Sequence, residues 1–232
     1  MNYIRIFFSE NVSINFDYSL NKKQSHYLFK VMRLKMGDKF LIFNNQGEWQ
    51  AKITNVLTNN LKFKVLSLNR NKILENDLWL AFSPIKSNYF NFMIQKATEL
   101  GVTKFFPIIT QRSIVRKINL DRIKKIVLEA CEQSNRIGIP EISRTQQLKN
   151  FLNENQNLQL IFADLNSDKK IIKIKKNLPV CLLVGPEGDF SEDERFKILK
   201  HKNVQSIKLS NNILRTETAI ISGLSILNFV DN

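Results

Sequence analysis

The sequence predicts an α/β domain preceded by a smaller, mostly β module, and three observations carry that prediction. From Asp77 onward, short apolar runs alternate with helical stripes, the pattern of a parallel sheet with crossover helices. Before that point the apolar segments read as strands joined by turns, with one helix among them. Charge divides near the same place: residues 1–72 carry twelve Lys or Arg against four acids, net +8, and the remaining 160 carry 23 against 17, net +6. The domains are therefore set at 1–72 and 73–232, with the Asn- and Lys-rich stretch Leu68 to Asn76 as linker.

In the first module a helix is expected near residues 21–33, with Ser19 or Asn21 as N-cap. Lys39 to Phe43, Glu48 to Val56 and Leu61 to Leu68 read as strands, the last by strict alternation, and Asn44-Asn45-Gln46-Gly47 turns the first into the second. In the second domain Leu78 to Phe82 reads as a buried strand. Phe90, Met93, Ile94, Ala97 and Leu100 then fall at helical spacing and stop at Gly101. Lys104 to Thr110 is the next strand, and Ile123, Ile126, Val127, Ala130 and Cys131 stripe a helix. Leu158 to Ala163, Val180 to Val184 and Val204 to Lys208 read as strands, and Ala219 to Phe229 as the closing helix.

Composition removes several functional classes. With 232 residues, 43% hydrophobic and 24% charged, the chain is globular and long enough for a substantial core. A net charge of +14 points to a polyanionic partner. No apolar run approaches the ~18 residues of a membrane span, and the N-terminus turns polar too soon for a signal core, so a cytoplasmic protein is expected. Cys131 and Cys181, with His26 and His201 as the only histidines, offer no metal-ligand or Cys-His spacing; neither metal nor thiol catalysis is expected.

Glycine is scarce, seven in all, and two of the seven close a strand. The apolar run Cys181-Leu182-Leu183-Val184 leads straight into Gly185-Pro186-Glu187-Gly188-Asp189-Phe190, at the strand end where open α/β sheets bind ligands. Ser191 and Glu194 form a capping box for the next helix. The loop has no Walker lysine and carries Glu187 and Asp189, followed by Glu192, Asp193 and Glu194, which disfavours phosphate. An acidic rim beside an apolar strand end suits an aromatic ring joined to a cationic group, as in S-adenosylmethionine. A simple tight turn is the competing reading. A second dense segment, Leu209-Ser210-Asn211-Asn212-Ile213-Leu214-Arg215-Thr216-Glu217-Thr218-Ala219, opens the last helix and could share one crevice with the first. Read alone, it is also a plain helix start, capped by Thr216 with Glu217 favouring the dipole.

The pair Gly-Pro-Glu-Gly-Asp-Phe-Ser at 185–191 and Ile-Leu-Arg-Thr-Glu-Thr-Ala at 213–219 resembles the signature of the 16S ribosomal RNA uridine-N3 methyltransferases of the SPOUT superfamily. Four further blocks resemble that family in order: His26 to Arg33 with Gly37-Asp38, Ile94 to Gly101, Arg112-Ser113, and Glu129 to Arg136. The resemblance implies an N-terminal PUA-like β-barrel that binds RNA, and a C-terminal α/β domain threaded into a trefoil knot. It also implies a homodimer using S-adenosyl-L-methionine on 16S rRNA of the small ribosomal subunit, in ribosome biogenesis. Cofactor contacts would come from Leu183, Val184, Gly185, Pro186, Glu187 and Gly188, and from Leu209, Ser210, Asn212, Ile213, Leu214 and Thr216. The family often has glycine where this chain has Asp189, and Gly and Arg where it has Ser210 and Asn212.

Uracil N3 holds a proton at neutral pH, so methylation there requires a base or stabilisation of the developing anion. Arg215, the one cation in the two signature segments, is expected to stabilise that charge, with Glu217 or Glu187 as proton acceptor. RNA contacts are expected from Arg5, Lys22, His26, Lys30 and Arg33, with Lys23 alongside and Tyr27 or Phe29 available for stacking. Arg112 and Arg136 are expected at the edge of the α/β domain. The final helix carries more apolar surface than one stripe needs, Gly223 with Ser222 permits close helix approach, and some of the excess is expected to face a partner in a two-fold dimer. The rival classes are a non-catalytic ribosome-assembly binder, a nucleotide-dependent kinase or dehydrogenase, and a related knotted enzyme acting on transfer RNA.

Overall fold

The computed structural model describes residues 3–57, 60–169, 172–175 and 177–231. It divides into two compact units, Met1–Leu74 with Cys131–Ile139, and Glu75–Ala130 with Pro140–Asn232.

The first unit is a five-stranded sheet in the order β1 (Arg5–Phe7), β3 (Lys39–Asn44), β4 (Gly47–Leu57), β5 (Asn60–Asn71), β2 (Asp17–Ser19). The hairpin β3–β4–β5 follows the sequence pattern, although β5 runs on to Asn71 and so takes in part of the expected linker. The β4–β5 ladder shifts register at Glu48/Trp49, Gln50/Ala51 and Ile53/Asn55. Such bulges bend and coil a sheet. Here the curl brings its two edges together through rings: Phe8, just past β1, lies 5.5 Å from Tyr18 of β2 and 5.3 Å from Phe63 of β5. Phe40 completes the cluster 5.4 Å from Phe63. Each such edge-to-face pair contributes about 0.5–1.5 kcal/mol beyond its area. No hydrogen-bonded ladder joins β1 to β2 among the described residues, so the barrel is closed by side chains. The short helix α1 (Lys22–His26) starts at Asn21, whose side chain accepts from the Gln24 amide at 2.9 Å; Ser19 instead ends β2. A π-type turn over Tyr27–Val31 continues it.

The core of this unit contains an ion cluster that periodicity cannot show. Glu48, 1% exposed, accepts from Arg5 Nε at 2.6 Å, Arg70 Nε at 2.9 Å and Asn69 Nδ2 at 2.6 Å. Burial alone would raise its pKa, but the hydrogen bonds from Arg70, Arg5 and Asn69 outweigh it and hold the carboxyl below its usual range. The other guanidinium nitrogens of Arg5 reach the carbonyls of Cys131, Glu132 and Arg136 at 2.7, 3.1 and 2.8 Å. These bonds are why residues 131–139 cluster with the first unit, which chain order assigns to the later domain.

The second unit carries the parallel sheet. Its order is β12 (Val204–Ile207), β10 (Gln159–Ala163), β11 (Val180–Val184), β6 (Leu78–Phe82), β7 (Lys104–Ile109), β8 (Glu141–Ile142), with β9 (Gln146–Gln147) pairing β7; every pair is parallel. Central β11 is buried along its whole length, as its unbroken apolar run requires. Helices α2 (Ser87–Glu99), α3 (Leu120–Gln133), α5 (Glu192–Leu199) and α6 (Thr216–Asp231) lie where stripes or caps predict them; α4 (Leu148–Glu154) is too short to announce itself. Gly101, at φ +90°, ends α2 in the left-handed region. The close approach expected at Gly223 is made within the chain: a Cβ there would meet Leu182 Cδ2 at 2.8 Å, so this glycine lets α6 lie against β11.

Candidate active site

Three strand ends meet at the carboxyl edge of this sheet. Val184 ends β11, and Gly185, Pro186, Glu187 and Asp189 follow it; Lys208, Leu209, Ser210, Asn212, Ile213 and Leu214 follow β12; Ala163 ends β10, with Asp164 and Leu165 after it; together with Thr216 and Ala219 of α6 they line one crevice. The two signature segments are tied directly, because the buried Thr216 hydroxyl donates to the Gly185 carbonyl at 3.3 Å. A larger cavity, about 570 Å³, lies at the amino ends of β6 and β11 around Asp77, Lys175 and Asn228; no residue of either signature segment reaches it.

The first loop is held from several sides. At Gly185 a Cβ would stand 2.8 Å from the Phe190 ring, so only glycine admits that ring, which packs edge-on against Phe162 at 5.4 Å. Asp189 has φ +58°, the left-handed region that glycine favours and aspartate tolerates. It keeps the conformation at the very position where the resembling family often has glycine. Arg112 Nη1 donates to the carbonyls of Gly188 at 2.9 Å and Phe190 at 3.3 Å. Glu194 closes the capping box on Ser191 and also accepts from the Gln111 amide at 2.8 Å. The turn at 110–113 is itself locked by buried hydroxyls: Ser113 Oγ lies 2.7 Å from Ser83 Oγ and 2.9 Å from Thr110 Oγ1.

The expected cofactor residues separate accordingly. Val184, Gly185, Pro186, Glu187, Leu209, Ser210, Asn212, Ile213, Leu214 and Thr216 line the crevice. Leu183 does not, since its side chain is fully buried in the core, and Gly188 faces Arg112. Asp164 lines it without having been expected; it is 3% exposed and paired with Arg195, Nη2 to Oδ2 at 2.9 Å. That pairing raises the Arg195 pKa. Its signal was available, because Asp164 directly follows a predicted strand on the ligand-binding edge. Of the expected catalytic residues only Glu187 lines the crevice. Arg215 is exposed, with its guanidinium 5.7 Å from the Tyr89 ring centroid, and Glu217 is half-buried in the first turn of α6.

Among the expected RNA contacts, Lys22, His26, Lys30 and Arg33 are exposed on the first unit. Arg5 is a correction: buried beside Glu48 and fully engaged with carbonyls, it cannot also reach RNA. Arg112 is exposed, and one of its guanidinium nitrogens, Nη1, donates to the loop carbonyls. Arg136 is half-buried, and its carbonyl accepts from Arg5. Burial pushes the Cys181 thiol strongly up, which leaves no thiolate at neutral pH.

The description "RNA methyltransferase domain" matches residues 72–228, and "RNA methyltransferase PUA domain" matches residues 20–66. The chain belongs to the RNA methyltransferase family. It is 35% identical to the ribosomal RNA small subunit methyltransferase E of Rickettsia conorii over 97% of this chain and 95% of that one. The protein of the same name from Bacillus subtilis is 27% identical, over 91% and 90%. Among solved structures, the small subunit methyltransferase E of Neisseria gonorrhoeae, bound to S-adenosyl methionine, superposes with a TM-score of 0.89 at 27% identity, covering 99% and 98%. A Legionella pneumophila putative methyltransferase in complex with the same cofactor gives 0.86 at 29% identity, covering 99% and 98%.

The crevice of this family member fits that cofactor by donor chemistry. Val184, Pro186, Leu209, Ile213, Leu214 and Ala219 offer apolar wall for a flat ring, while Glu187 and Asp189 set negative charge beside it for a sulfonium and an ammonium group. Lys208 is the lone cation of the lining.

Proposed function

We propose that this protein methylates N3 of a uridine in 16S rRNA of the small ribosomal subunit, using S-adenosyl-L-methionine. The observation that carries the reading is the crevice itself: both signature segments are joined through Thr216 and Gly185 at the ligand-binding edge of a parallel sheet, with an acidic rim. The bound cofactor supplies an electrophilic methyl group. The protein's part is to hold it, orient the base and handle one proton. Main-chain groups of the 185–188 and 209–214 segments and the Asp189 carboxylate hold the cofactor, which leaves Glu187 for the proton.

Arg215 is exposed and makes no ion pair among the described residues, which leaves its N–H groups for the uracil oxygens. As the N3 proton leaves for a carboxylate, negative charge grows on O2 and O4, and a guanidinium there is worth most in that state. Glu187 is the proton acceptor, as the expected base that lines the crevice. Glu217 is accounted for by the dipole of α6. The proton leaves N3, the nitrogen lone pair forms the new N–C bond, and the C–S bond electrons return to sulfur. Arg215→Ala should cut kcat at least about a hundredfold with cofactor affinity nearly intact by calorimetry; normal turnover would sink the assignment.

RNA affinity should fall steeply with salt, because phosphate contacts release counterions. The protein acts in the cytoplasm as a two-fold dimer formed by its α/β domain. Support for the dimer comes from Tyr89 and Phe92 on α2 and Phe229 and Val230 on α6, apolar residues left exposed on two helices that pack together. A mass of 27.1 kDa by light scattering, with activity retained, would exclude it. No described helix is long and apolar enough to cross a membrane.

A further inference from the structure

The first unit has a cavity of its own, about 440 Å³, between α1 with its π-type turn and the β4–β5 hairpin. Its floor is apolar, formed by Val56, Leu57 and Leu61. Its rim is cationic, with Lys22, Lys23 and Lys30 beside His26, all exposed. Phe29 stands in the wall 39% exposed, and Lys30 Nζ lies 5.0 Å from its ring centroid. Among the described residues no carboxylate lines the cavity.

We infer that this cavity is a subsite for one unpaired nucleotide of the RNA, distinct from the uridine that is methylated. The inference rests on the RNA-methyltransferase reading and adds a second point of recognition to it. An apolar floor with one aromatic wall accepts a base face, and the surrounding ammonium groups accept the phosphates on either side of that base. The volume lies within the range of small-ligand pockets. A base inside a duplex has both faces stacked and cannot enter; an unpaired base from a loop or bulge can.

The π-type turn explains how the ring comes to be exposed. Ordinary helical spacing over residues 21–33 would continue one apolar face, and Leu28 is indeed fully buried. The wider turn over Tyr27–Val31 leaves Phe29 and Val31 facing solvent, each a large apolar side chain that folding by itself would cover. An acidic peptide would satisfy the cations, but it would leave the floor and the ring unused.

The test uses the full-length protein and a short single-stranded RNA carrying one 2-aminopurine. Stacking on Phe29 should quench its fluorescence on binding, and Phe29→Leu should abolish the quenching and weaken binding about tenfold. Leu57→Asp, on the opposite side and half-exposed, should do the same by placing an anion on the floor. A melting curve by circular dichroism that matches the wild type reports that each variant is folded. The same strand annealed to its complement should show no Phe29-dependent quenching. Binding and methylation of 16S rRNA with quenching unchanged in both variants would overturn the subsite and leave the methyltransferase reading standing. Absence of any RNA binding or methylation by the wild type would overturn that reading and the subsite with it. Displacement of the oligonucleotide by polyglutamate, with no Phe29-dependent quenching, would give the cavity to an acidic peptide instead.

Discussion

Two arginines, each expected to touch RNA, anchor main chain far away in sequence, and they do so in opposite surroundings. Arg5 is buried in the first unit, pairs with Glu48 and binds three carbonyls between residues 131 and 136. Arg112 is exposed in the second unit and binds two carbonyls of the 185–190 loop. Around Glu48 the ions have been taken out of water, so removing one partner strands a charge where solvent cannot reach it. Around Arg112 water can replace a lost bond at small cost to stability. The same donor chemistry therefore secures folding in one place and the shape of a binding loop in the other.

The largest effect should come from breaking the buried cluster. Glu48→Ala strands Arg5, and a loss of about 3–5 kcal/mol is expected, seen as a melting temperature lower by roughly 10 °C. A drop of only a degree or two would mean that water enters the cluster and that the two arginines are alike after all. The cluster also sets an acid limit. Because Glu48 titrates below its usual value of 4.5 in the folded state, its contribution is complete above that pH and is lost as pH falls through the lower folded pKa. The stability gap between wild type and Glu48→Gln should stay constant above pH 4.5 and close below it; urea titrations at stepped pH would read this, and parallel curves would contradict it.

Packing against β11 gives the next effect. Gly223→Ala places a methyl 2.8 Å from Leu182 and should cost about 1–3 kcal/mol by thermal melting. An unchanged melting temperature would mean that α6 does not rest on β11 at this glycine. Arg112→Ala should change stability by under about 1 kcal/mol yet weaken cofactor binding about tenfold by calorimetry, since the loop loses two of its anchors. If stability fell as far as in Glu48→Ala, the contrast between the two regions would collapse. Asp189→Gly should change stability least in a thermal melt, because relief of the left-handed strain, about 1 kcal/mol, is largely offset by the extra freedom of glycine in the unfolded chain, while loss of the carboxylate should weaken cofactor binding by calorimetry.

Strong local signals made much of this protein legible in its sequence. The buried run Cys181 to Val184, the Ser191–Glu194 capping box and the stripes of α2 and α3 fix their elements through nearest-neighbour chemistry, which the chain carries wherever it goes. The two signature segments likewise announced that a crevice would form and most of what would line it. Short strands such as β1, β2, β8 and β9 have too few residues to show a period, and they exist because a neighbour offers them a ladder. Which way an arginine turns was decided by the fold alone. Arg5 reads like any cation near a basic N-terminus until the curl of the sheet sets Glu48 beside it, and only the parallel sheet brings the 185–190 loop within reach of Arg112. Composition and local pattern determined where apolar surface must go; only tertiary structure decided which charges were spent inside and which were left for a ligand, because that depends on partners more than forty residues away in sequence.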